Sequence, residues 1–238
     1  MIFVTSWDDG HPLDERLADL LYRYGLPGTF FIPIHNLEGR PVISIQALRR
    51  LDSYFEIGSH TLDHVLLTEV SPEECLRQVT LGKTELEQHL GHPIKGFCYP
   101  HGKWNYQVRL KVKCAGFDYA RTIENFRLDW GNDLYTIPTS IQIFPHGKHV
   151  LLSNYIRFGH YRSRFKIFAI SLISNNWLDY ILRVLDMLLD DNSILHVWGH
   201  SWEIEEQGLW PQLENFFSLV ASRSPTLCTI NELTQILH

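Results

Sequence analysis

The chain has 238 residues, 45% of them hydrophobic and 20% charged, with a formal net charge of −6. A pI near 6.1 argues against general nucleic-acid binding, which needs a basic surface to neutralise phosphates, so no nucleic-acid partner is expected. No stretch approaches the roughly 18 uncharged apolar residues of a membrane span; the nearest, from Ile167 to Ile173, is far too short.

This length fits one domain over residues 1–238, because α/β barrels reach about 250 residues as a single unit. The opening Met1-Ile2-Phe3-Val4-Thr5-Ser6-Trp7 has neither a basic leader nor a small-residue cleavage site, so a cytoplasmic location is expected. Cysteines at 75, 98, 114 and 228 follow no zinc-ribbon spacing and are expected as reduced thiols.

In chain order, residues 2–6 predict a strand. Residues 13–24 carry apolar side chains at 13, 17, 20 and 21, a helical spacing closed by Gly25. A buried strand follows at 28–33, a helix at 44–51 capped by Ser44, and a short strand at 54–58 that leads into His60. Ser71-Pro72-Glu73-Glu74 combines a cap, a first-turn proline and a glutamate three residues after the serine. That helix should run to Leu90 and stop at Gly91. Next come a strand at 96–99, a helix at 106–115, a strand at 119–122 and a further strand within 137–143. An amphipathic helix at 177–189, a strand at 194–198 and helices at 209–221 and 230–237 complete the reading. The β-then-α order favours parallel strands joined by right-handed crossovers.

Residues with chemistry collect just after these strands, at 8–10, 60–64, 99–102 and 198–203. In β/α barrels that end of the strands holds the active site. His60 and His64 are four residues apart; on a helical turn both rings would share a face and converge on one cation. Neutral imidazole ligates zinc and similar metals. Two imidazoles and a carboxylate would leave a position open for water. Asp8 and Asp9 are adjacent, so if one binds a metal the other projects elsewhere and is free to take a proton. Alone, HxxxH is common on solvated helices, and Asp-Asp-Gly is common in turns. It is their joint placement at strand ends that points to a metal-dependent hydrolase.

On these motifs the chain resembles the polysaccharide deacetylase, or NodB-homology, family. The resemblance rests on Trp7-Asp8-Asp9-Gly10, Gly28-Thr29-Phe30-Phe31, His60-Thr61-Leu62-Asp63-His64, Phe97-Cys98-Tyr99-Pro100-His101-Gly102 and a strand running into a histidine, Ile194-Leu195-His196-Val197-Trp198-Gly199-His200. It implies an irregular (β/α)7-type barrel in the α/β class, with the site at the C-terminal ends of the strands. It also implies Asp9, His60 and His64 as metal ligands, Asp8 as general base, the backbone N–H of His101 as an oxyanion donor and His200 as general acid. The cofactor would be a divalent metal; Zn2+ fits the ligands, and Ni2+, Co2+ or Fe2+ would accept them too. The implied substrate is an N-acetylated saccharide or glycoconjugate. The rival readings are a hydrolase of a cyclic amide, ureide or formamide, and a carbohydrate-binding protein without turnover.

The sequence also departs from the family pattern. Two residues before Pro100, where many members have an arginine that pairs with the catalytic aspartate, stands Cys98. Arg121, at the end of the next predicted strand, could supply the missing cation. His101 stands where a sugar-contacting tyrosine is usual. The carboxylate that orients His200 would be Asp129 or Glu203. His196 shares strand parity with His200 and would either face the site or sit in the core. His146, His149 and His160 are expected on the surface of an irregular stretch. Arg157, Arg162, Arg164 and Lys166 are expected to form a solvated face, the alternative being contact with an anionic sugar or a phosphate-bearing lipid carrier at a membrane surface.

Overall fold

The computed structural model describes residues 1–188 and 193–236. Strand β1 (Ile2–Trp7) pairs along its whole length with β7 (Ile194–Gly199). Its other edge is divided: Ile2 and Phe3 pair with β8 (Thr226–Leu227), while Ser6 and Trp7 pair with β2 (Thr29–Ile32). Beyond β2 lie β3 (Glu56–Ser59), β4 (Gly96–Cys98) and β5 (Tyr119–Arg121), and β6 (Ile141–Gln142) flanks β7. All these pairings are parallel.

The stretch 137–143 is a strand only at β6. Ile137 N–H donates to Ala120 at 3.0 Å, whereas Ser140 and Ile143 donate to His196 and Trp198 at 2.8 and 2.7 Å. One irregular segment therefore bonds first to β5 and then to β7, curling the parallel sheet into the irregular barrel expected.

Strand parity sorts the side chains. Phe3 and Trp7 of β1, Phe30 of β2, Phe97 of β4, Ala120 of β5 and Leu195 and Val197 of β7 join the large apolar cluster under the helices. Their neighbours Val4, Phe31, Cys98, Tyr119 and Ile194 form a second cluster with Ile230 and Leu233 of α10 (Ile230–Ile236). Successive strand residues face opposite sides, so Ser6, Asp8, Arg121, His196 and Trp198 continue the second row toward the C-terminal ends.

Around the sheet lie α1 (Asp14–Arg23), α2 (Ile45–Asp52), α3 (Pro72–Leu90) and α4 (Tyr106–Cys114). Ser44 and Ser71 cap α2 and α3, accepting from Ala47 and Glu74 N–H, and Gly91 ends α3 at φ 81°. The predicted elements shift at their ends by one or two residues. The expected final residues 189 and 237 of two helices lie outside the described residues.

Two helices occupy the stretch expected to be irregular: α5 (Lys148–Arg157) and α6 (Tyr161–Ile173). Neither has a side-chain cap; α5 starts after Gly147 and α6 after a left-handed His160. That is why no start signal is visible there. Arg164 corrects the reading of a solvated basic face: it is fully buried, donating to the carbonyls of Asn125, Asn154, Tyr155 and Gly159. Arg157, Arg162 and Lys166 are exposed. The remaining helices are α7 (Trp177–Met187), the short α8 (Ser201–Glu206) and α9 (Trp210–Ser222). All four cysteines are free thiols. Among the described residues no helix is long and apolar enough to cross a membrane.

Gly82 of α3 brings that helix against the loop carrying the His60 and His64 pair. A Cβ there would lie 2.5 Å from the Thr61 carbonyl carbon and 2.7 Å from Leu62 N. Alanine in a helix ordinarily gains up to about 1 kcal/mol over glycine. Here Gly82→Ala should instead destabilise by about 1–3 kcal/mol through overpacking against rigid backbone, read as a lower denaturation midpoint at unchanged slope.

Candidate active site

Asp8 and Asp9 follow β1 directly, and their side chains diverge. Asp9 is in the left-handed region (φ 75°) and Gly10 follows at φ 58°. A Cβ on Gly10 would meet Ile32 Cγ2 at 2.9 Å, so the turn requires glycine. His60 follows β3. The 60–64 segment is a loop, not the helical turn expected: Thr61 and His64 have φ of 74° and 55°. The loop nevertheless brings both rings together, with centroids 4.9 Å apart. Gln78 of α3 anchors it, its side-chain oxygen accepting from Asp63 N–H at 2.9 Å and its amide donating to Asp63 Oδ2 at 2.6 Å.

Asp9 Oδ1 lies 3.2 Å from His64 Nε2 and 3.6 Å from His60 Nε2. All three residues are buried, and their ligand atoms fall within 4.8 Å of one another. His60 Nδ1 donates to the Cys98 carbonyl at 2.8 Å. Burial, with the charge of His64, pushes its pKa down to about 4. A neutral imidazole has one N–H; with that proton on Nδ1, His60 Nε2 points a lone pair at the Asp9 carboxylate. Two electron-rich atoms facing each other in a buried site suit a cation between them, and a carbonyl behind a ligating histidine is the usual supporting arrangement. The donor set fits a divalent metal. Burial opposes the charge of Asp9, but the His64 hydrogen bond and the charge of His200 outweigh it and hold the carboxyl far below the usual range. The Trp202 indole donates to its second oxygen at 2.9 Å.

Asp8 turns inward. Fully buried Arg121 donates to Asp8 Oδ1, and the Cys98 thiol approaches Asp8 Oδ2 at 3.7 Å. β4 and β5 are in register at Cys98 and Arg121, so the cation stands one strand over from the cysteine. Its guanidinium lies 5.3 Å from the Phe31 ring centre and 4.9 Å from that of Trp198. Burial disfavours the Arg121 charge, yet Asp8 raises its pKa overall. Burial also raises the Cys98 thiol well above its ordinary value, keeping it neutral.

His200, after β7, completes the site. Its Nε2 lies 3.9 Å from Asp9 Oδ2 and its Nδ1 2.7 Å from Glu203 Oε2. Burial lowers its pKa, but Glu203 and Asp9 prevail and lift it to about 9. Glu203, not Asp129, is the partner carboxylate; Asp129 is exposed and pairs with Arg127. The first turn of α8, which the sequence reading lacked, carries Glu203 back over His200. His196 is a core residue, bonded to Ser6 Oγ at 2.9 Å and the Pro138 carbonyl at 3.0 Å. His149 and His160 are exposed, whereas His146 is half-buried against Gln142, contrary to the surface position expected.

His101 (φ 54°) borders the cleft from the loop after β4. Its Nε2 contacts Glu38 at 2.6 Å, and the same Glu38 oxygen lies 3.3 Å from His64 Nδ1. Glu38 was not legible from sequence, since it sits in the turn 36–40 with no motif around it. Arg40 of that turn stacks over Trp202 at 3.3 Å. The cleft measures about 300 Å³.

A buried acid–arginine pair, a three-ligand cation cradle and an imidazole backed by a carboxylate, gathered at the C-terminal ends of a curled parallel sheet, are the makings of a hydrolase site. The polysaccharide deacetylase profile matches residues 2–120, half of the sequence, and the chain belongs to that family. It is 29% identical over 118 residues to a peptidoglycan-N-acetylglucosamine deacetylase of Bacillus cereus (49% of this chain, 54% of the relative). It is 30% identical over 117 residues to a chitooligosaccharide deacetylase of Azorhizobium caulinodans (48% and 54%). The chain thus spans about half the length of the curated relatives it matches. In fold it is similar to a family 4 acetyl xylan esterase from Clostridium thermocellum solved with a cobalt ion. That likeness has a TM-score of 0.62 and 16% identity over 99% of this chain and 91% of that one.

Breaking a buried ion pair from one side leaves an uncompensated charge. Arg121→Met should cost about 3–5 kcal/mol of stability at neutral pH, and the double change Asp8→Asn with Arg121→Met should recover much of it in denaturation curves.

Proposed function

We propose that this protein is a divalent-metal-dependent deacetylase that removes an N-acetyl group from an amino sugar of a saccharide or glycoconjugate. The observation that carries this reading is the convergence of Asp9, His60 and His64 between Asp8, held by Arg121, and His200, held by Glu203. The family and the two curated relatives, one named a peptidoglycan-N-acetylglucosamine deacetylase and the other a chitooligosaccharide deacetylase, support the substrate class. Asp9, His60 and His64 would hold the ion; zinc suits them, and cobalt, nickel or iron would also be accepted. When bound there, a divalent ion supplies Lewis-acid stabilisation and lowers the pKa of water toward about 7.

The chain's own residues do the rest. Asp8, acceptor-only as a carboxylate, takes a proton as water attacks the acetyl carbon. Arg121 fixes its orientation. A backbone N–H at His101 is suited to the oxyanion that develops. His200, charged because Glu203 and Asp9 hold its proton, donates from Nε2 to the departing nitrogen, without which an amine leaves poorly. The new C–O bond forms and the C–N bond breaks, giving acetate and a free amine.

Acetate release from chito-oligosaccharides, run beside cyclic ureides and formamides, tests the reading. Turnover of the first group only, lost on chelation and restored by divalent metal, is expected. Saccharide binding by metal-loaded protein with no acetate released would instead favour a binding protein. Asp8→Asn should lower kcat by about 10²–10⁴-fold while leaving bound metal, counted by elemental analysis, unchanged.

The pH dependence has a definite sign. His200 is raised from 6.5 to about 9, so its acid form is present below that value and lost as pH rises through it. Metal on Asp9 would neutralise part of the Asp9 contribution. The alkaline limb of kcat should fall between 6.5 and about 9, and Glu203→Gln should move it downward.

A further inference from the structure

Glu203 has a second partner. Its Oε2 accepts from His200 Nδ1 at 2.7 Å and from the Gln142 amide nitrogen at 3.2 Å. Gln142 Oε1 accepts in turn from His146 Nε2 at 2.8 Å. The direction of this chain is fixed by chemistry. A carboxylate only accepts, so Gln142 must turn its NH2 to Glu203 and its oxygen to His146, and His146 must carry its proton on Nε2. Reversing the amide would set oxygen against oxygen.

Each member is anchored by something else. Gln142 is in parallel register with Trp198, two residues before His200. Its carbonyl accepts from the Trp177 indole at 3.1 Å. His146 packs on Phe144, ring centres 4.7 Å apart. Among the described residues, Glu203 is held at its carboxylate by the two bonds already named.

We infer that Gln142 and His146 are positioning residues for His200: they lock the Glu203 carboxylate, which in turn holds the imidazole with Nε2 aimed at the cleft. The inference rests on the reading of His200 as the acid. Neither residue touches the reacting atoms, so their influence should appear only where a leaving group needs a proton. An amide nitrogen needs one; the nitrophenolate of 4-nitrophenyl acetate does not.

The test measures kcat and KM for acetate release from a chito-oligosaccharide and from 4-nitrophenyl acetate, with metal-loaded full-length protein. Gln142→Met keeps the length of the side chain and removes both hydrogen bonds. It should lose kcat on the amide by about 10- to 100-fold, the scale of a misaligned catalytic group, with KM and ester turnover near wild type. His146→Phe should show the same selective loss, and His146→Gln, which restores an N–H donor, should recover most of it. Equal losses on both substrates, or no loss on either, would overturn the inference. His200→Ala separates the two levels: if it affects both substrates equally, the acid reading itself fails and takes the inference with it. A selective His200→Ala beside an unaffected Gln142→Met rejects the positioning role alone.

Discussion

The contact on which the site depends is the buried pair between Asp8 and Arg121. Neither charge can reach water, and each alone would carry a desolvation penalty of several kcal/mol. Their meeting requires the end of β1 and the end of β5 to face each other across the barrel, with three strands between them in the sheet order. The curl of the sheet is thus a condition for burying either group. Once formed, the pair leaves Cys98 a small neutral neighbour, and Asp8 can be a carboxylate in a nearly dry pocket.

The cation cradle has a different cost. Of the seven non-glycine residues with positive φ among those described, Asp9, Thr61, His64 and His101 lie in or beside it. Such conformations cost of order 1–3 kcal/mol each and persist where the surroundings impose them. Here the surroundings are named: Gln78 grips the Asp63 backbone, Gly82 lets α3 press on Thr61, and the Cys98 carbonyl accepts a hydrogen bond from His60 Nδ1. Strain and packing together hold two imidazoles and a carboxylate where a helix would have presented them differently.

Much of this was legible from the residues. Strong caps at Ser44 and Ser71 and the left-handed Gly91 marked their helices, and strand ends marked the site. Arg121 could be suspected because Cys98 left a carboxylate without its customary partner. The misses have physical causes. α5 and α6 begin without a capping side chain and carry aromatic and β-branched residues with little amphipathic contrast. The 60–64 spacing suits a helical turn as well as a loop, and only the packing of α3 decides between them. Glu38 and Gln142 act through distant partners, which a linear pattern does not reveal. Arg164 reads as one charge in a basic run, yet it satisfies four backbone carbonyls from inside the protein.

The divided edge of β1 has a consequence for how the molecule assembles. The strand that delivers Asp8 and Asp9 is flanked by segments from residues 194–199 and 226–227, which are synthesised well after it. Contacts so far apart along the polypeptide make for slow closure. The amino-terminal half, which carries every residue of the cation cradle, must therefore wait for the other half to emerge before its first strand is bonded on both sides. The first strand, and the two aspartates that follow it, gain their full set of sheet neighbours only when residues 194–199 and 226–227 return to it.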